Sequence, residues 1–88
     1  MVGYSTNKGK SIEDAIIITD VNDHFAGIDA EYLFIENKFG ERGKKWKLIK
    51  QELLNEKQQV FDRMTIQLND QTVVSLYFDL TAFFGKGF

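Results

Sequence analysis

Residues 23–40 read DHFAGIDAEYLFIENKFG, and within them Phe25, Ile28, Tyr32, Ile35 and Phe39 recur at spacings of three, four, three and four. That period puts five large apolar groups on one stripe of an α-helix, with Leu33 and Phe34 widening it and Asp29, Glu36 and Lys38 falling outside. Asp23 is placed to cap the helix start. Gly40, directly after Phe39, is placed to end it, since glycine adopts the left-handed conformation without a Cβ clash. Gly27 weakens the first turn, so the helix is expected to begin there rather than at His24.

Working upstream, Ala15-Ile16-Ile17-Ile18-Thr19 is a β-branched run expected to form a strand buried on both faces. A short helix over residues 11–19 is the competing reading, disfavoured because adjacent isoleucines lose rotamer freedom in a helix. Residues 1–10 (MVGYSTNKGK) carry only Val2 and Tyr4 as bulky apolar groups and are expected to be a flexible tail, leaving residues 11–88 as a single domain.

Downstream, Gly40-Glu41-Arg42-Gly43 reads as a loop, followed by three extended segments: Trp46–Leu54, Gln58–Leu68 and Thr72–Phe78. Asn55-Glu56-Lys57 suits the first hairpin connection, and Asn69-Asp70 a two-residue loop tolerant of positive φ. In the middle segment Val60, Met64, Ile66 and Leu68 alternate with Phe61, Arg63, Thr65 and Gln67, and Asp62 interrupts the apolar face. Asp79 can cap a short closing helix, Leu80–Phe84, ended by Gly85. The expected fold class is α+β, in the order β-α-β-β-β: an antiparallel three-stranded meander, one main helix packed on the sheet and a short C-terminal helix.

Composition narrows the chemistry. Eighty-eight residues, 43% hydrophobic and 27% charged, suit one globular domain with a thin core and argue against disorder and membrane insertion. With no cysteine, disulfides, thiolate zinc sites and cysteine nucleophiles are excluded, and a cytoplasmic location is expected. Asp20, Asn22, His24 and Glu31 have the spacing of calcium-loop ligands, but Phe25 stands where the sharp turn demands glycine. His24 is the only histidine, so no zinc site is expected. Gly40, Gly43, Gly85 and Gly87 lack the spacing of a phosphate loop. Asp62 and Asp79 sit among apolar neighbours, where burial would suit acid–base work. A helix cap explains Asp79 better, and a cross-strand partner such as Arg63 or a lysine explains Asp62 better. Neither a cofactor nor catalysis is expected.

Charge is what remains to suggest a role. Residues 11–36 contain seven acids and no Lys or Arg, whereas residues 38–50 hold six bases against Glu41 alone. Such a layout steers a charged partner, unless the two stretches lie side by side and neutralise each other. A protein partner is expected, with Arg42, Lys44, Lys45, Trp46, Phe83 and Phe84 as its contacts, although these aromatics are better suited to the core. A homodimer, through exposed aromatics or the outer sheet edge, is one form such binding can take. The alternative is nucleic acid gripped by Lys38 to Lys50 around Trp46, which the isoelectric point of about 5.3 disfavours.

Overall fold

In the computed structural model, which describes residues 3–84 and of His24 only the backbone, the opening stretch forms helix α1 (His24–Phe39). Asp23 is extended, and its carboxylate accepts the Ala26 N–H at 2.8 Å, satisfying one of the donors a helix start leaves open. At the other end the Gly40 N–H donates to Glu36 O, and Gly40 takes a φ of 109° that a side chain would resist. The helix therefore starts at His24, and Gly27 lies inside it.

Five strands accompany α1 among the described residues: β1 (Gly3–Tyr4), β2 (Ile16–Thr19), β3 (Trp46–Glu56), β4 (Gln59–Leu68) and β5 (Val73–Asp79). They make one mixed sheet in the order β1-β2-β5-β4-β3. β3, β4 and β5 pair antiparallel, β2 runs parallel to β5 with Ile16 opposite Phe78, and β1 is antiparallel to β2. The domain is thus α+β, with a Cα radius of gyration of 12.6 Å, close to the roughly 12 Å of a compact chain this long.

Ile16, Ile18, Trp46, Met64, Ile66, Leu76 and Phe78 from the sheet pack with Ala30 and Ile35 of α1, and with Leu80 and Phe83, into one core. β2 is not buried on both faces. Ile17, between two buried isoleucines, is 40% exposed, because the helix covers one face of the sheet only.

The helix also presents a different face from the one its large apolar residues mark. Phe25 is 62% exposed, whereas Gly27, Ala30, Glu31 and Ile35 are buried. The buried face is rotated by about a quarter turn from the expected stripe. A Cβ added at Gly27 would run into the Phe83 ring, so the small residues are what let α1 close onto its neighbours.

Three connections differ from expectation. Asn55 and Glu56 still pair with Val60 and Gln59, and the hairpin turns at Lys57 and Gln58, whose φ values are 46° and 68°. Between β4 and β5 the Leu68 N–H donates to Thr72 O, and positive φ falls on Gln71 (74°), which makes a three-residue loop. Leu80–Phe84 is a turn rather than a helix: the Phe83 and Phe84 N–H groups both donate to Leu80 O, at 3.1 and 2.9 Å. Asp79 does cap this turn, accepting the Thr81 N–H at 2.9 Å. Gly85 and Phe88 lie outside the described residues.

Residues 3–10, expected as a tail, run along the sheet. The Tyr4 hydroxyl donates to Ala30 O at 2.7 Å, the Asn7 amide to Ala15 O at 2.9 Å, and the Tyr77 N–H to Gly9 O at 2.8 Å.

Candidate functional site

Among the described residues β3 is the last strand of the sheet and pairs with β4, while at its start Arg42 bridges Trp46 and the Gly43 N–H donates to Trp46 O at 2.7 Å. Beyond Trp46 the 11-residue strand therefore presents a row of backbone N–H and C=O groups on the open side, the form of edge that accepts an added strand. Sequence alternation fails along β3 for a physical reason. Leu48 stands opposite Ile66 and Lys50 opposite Thr65, so Ile49 is an extra residue, a β-bulge, and the inward phase shifts there. Trp46 and Leu48 face the core before the bulge; Gln51 and Leu53 share the face of Met64 and Asp62 after it. Ile49 and Leu53 are each 50% exposed.

At the start of β3, Trp46 is 2% exposed and its indole N–H donates to Gly40 O at 2.7 Å. Its ring stacks on Tyr32 at 6.5 Å, and the Arg42 guanidinium lies 4.7 Å from the Tyr32 ring centre. Trp46 is thus a core peg joining the end of α1 to β3. Arg42, Lys44 and Lys45 are exposed, with Lys44 3.5 Å from Glu41. Among the described residues no ion pair joins the acidic stretch 11–36 to the basic stretch 38–50; β2 and β3 are separated by β5 and β4. The charge asymmetry remains on the surface.

Further along β3, Ile28, Gln51, Leu53, Asp62, Leu80 and Phe84 line a cleft of about 290 Å³. Phe84 is 38% exposed, and Phe83 is 1% exposed against Gly27. The six expected contacts therefore do not form one patch. Trp46 and Phe83 are core residues, Arg42, Lys44 and Lys45 stand at the start of β3, and Phe84 stands near its far half.

The floor of the cleft is acidic. Asp62, 3% exposed, accepts the Gln51 amide at 2.6 Å across the hairpin, not a bond from Arg63. Arg63 lies on the opposite face and binds Glu52, whose carboxyl its guanidinium holds below the usual carboxylate range. Behind Asp62 sits Glu31 of α1, 0% exposed, with neither carboxyl oxygen meeting a hydrogen-bond donor. Burial first, then the neighbouring Asp62, push the Glu31 pKa up to about 10. Glu31 thus keeps its proton at neutral pH and can offer it to Asp62. Sequence reading missed this role; the signal was its position four residues after Gly27 and four before Ile35, on the face marked by small residues.

Asp79, opposite Phe61, is one register step from Asp62 but on the other face of the sheet. It borders a groove of about 410 Å³ on the other side of the sheet, with Glu13, Glu56 and Lys57 among Ile12, Ile17 and Phe61. Among the described residues no group of three or more His, Cys, Asp or Glu converges to hold a metal, and no helix is long and apolar enough to cross a membrane. No protein-family model, curated protein or solved structure matches the chain.

Proposed function

We propose that this is a non-catalytic protein-binding module, of the accessory or inhibitor kind, that docks a partner along the open side of β3. The observation that carries the reading is this edge, 11 residues long, with Ile49 and Leu53 half exposed along it. An extended segment added there gains main-chain hydrogen bonds, and alternate side chains supply selectivity. Arg42, Lys44 and Lys45 draw acidic groups toward one end, while Phe84 adds apolar contact beside Leu53 at the other. Trp46 and Phe83 serve from beneath, holding the edge in shape. The cysteine-free chain suits the cytoplasm.

A photoreactive aromatic residue placed at position 53 tests this directly. Irradiation is expected to trap one protein adduct of defined mass, lost when Lys50 is changed to Glu. Turnover in a broad hydrolase screen, abolished by Asp62→Asn or Asp79→Asn, would overturn the reading. The nucleic-acid alternative loses the stacking ring it relied on, since the Trp46 indole amid Lys38 to Lys50 is buried. Retention of labelled oligonucleotides at low salt would reinstate it.

A further inference from the structure

We infer that the occupant of the β3 edge is a second copy of the same chain, paired antiparallel through β3 about a two-fold axis at Gln51. The inference rests on the reading of β3 as a docking edge and identifies the partner. It is carried by a pattern centred on Gln51: Ile49-Lys50-Gln51-Glu52-Leu53 reads apolar, basic, neutral, acidic, apolar. Laid antiparallel on itself, this segment sets Lys50 of each copy opposite Glu52 of the other, and Ile49 of each opposite Leu53 of the other. Both opposite-charge pairs and both apolar pairs are then made at once.

The charges lie on one face. Lys50 stands opposite Thr65 of β4 and Glu52 opposite Arg63, both on the side of the sheet away from α1. Within one copy Lys50 Nζ is already 3.4 Å from Glu52, which Arg63 also binds, so pairing joins two local Lys50–Glu52–Arg63 clusters across the axis. The half-exposed Ile49 and Leu53 are covered by the same step, which removes apolar surface from water at the position where the isolated sheet leaves it bare.

Register selection follows from the same residues. A slip that preserves the faces moves the strand by two residues, and it brings Lys50 against Lys50 or Glu52 against Glu52. A slip by one residue turns each side chain toward the wrong face. Lysines on an edge ordinarily guard it against indiscriminate pairing. Here Glu52 answers Lys50 in one register only, so the guard also selects the mate. The bulge at Ile49 ends the regular pairing at its amino-terminal side and limits addition to a short central segment.

The test uses the purified protein by itself. Sedimentation from micromolar to millimolar concentration is expected to show a species of twice the 10.2 kDa chain mass. Lys50→Glu and Glu52→Lys, each alone, place like charges opposite each other and are expected to weaken self-association by about tenfold or more. An equimolar mixture of these two variants restores complementarity and is expected to form a heterodimer as tightly as wild type self-associates, which also shows that both variants fold. A wild-type chain that stays monomeric throughout, a dimer insensitive to both charge changes, or a mixture that fails to associate would each overturn the inference. If the chain is monomeric but the position-53 probe traps a different protein, this inference alone falls; if it is monomeric and the probe traps nothing, the docking-edge reading falls with it.

Discussion

Glu31 makes folding take up a proton. Its carboxyl titrates near 4.5 when exposed and is pushed up to about 10 in the fold, so between those values the folded chain holds a proton that the unfolded chain has released. The stability contributed by this site is fully present below the lower value and is lost as pH rises, with a slope of up to about 1.4 kcal/mol per unit. Glu31→Gln keeps a donor for Asp62 without the linkage. It is expected to flatten the fall in denaturant midpoint between about pH 5 and pH 9, and to be more stable than wild type at the alkaline end. A second residue reverses an ordinary rule. Gly→Ala inside a helix normally stabilises, but at Gly27 the new methyl meets the Phe83 ring, and Gly27→Ala is expected to cost about 1–3 kcal/mol in urea unfolding. At this scale the legibility of the chain was uneven. Asp62 stood out because it broke an apolar alternation, whereas Glu31 did not, because the helix stripe was drawn through large side chains and the buried face runs through small ones.

The elements themselves were mostly legible, because each has a local cause: the capping oxygen of Asp23, the spacing from Ile28 to Phe39, and the β-branched run at Ile16–Thr19. Ile35 is fully buried on α1, and Ile35→Ala is expected to cost about 2–5 kcal/mol, measurable as a lowered urea midpoint. Turn positions were less legible, because the residues there do not advertise their conformation. Lys57 and Gln58 both hold positive φ, which costs an L-residue about 1 kcal/mol or more, yet neither is Gly or Asn. The double substitution Lys57→Asn with Gln58→Gly is expected to raise stability by about 1 kcal/mol, read from the thermal midpoint. The bulge at Ile49 was likewise hidden. A single extra residue removes the alternation by which a strand's faces are read.

At the scale of the whole molecule, long-range pairing was the part that sequence could not disclose. Nothing local says that β2 lies beside β5 or that Gly3–Tyr4 adds a further strand, since such pairings depend on residues far apart in the chain. Removing residues 1–9 tests the second point. If these residues were only a tail, the midpoint would not move; the loss of the Tyr4 hydroxyl bond to Ala30 and of the β1 ladder is expected to lower stability by at least about 1 kcal/mol. The parallel contact of Ile16 with Phe78 has a consequence of its own. During translation β1 and β2 are made well before β5, so β2 has only the two-residue β1 beside it in the sheet until the strand on its other side has been made. Until then the β5 side of Ile16-Ile17-Ile18 has no partner strand, which makes this triplet a segment a chaperone would shelter.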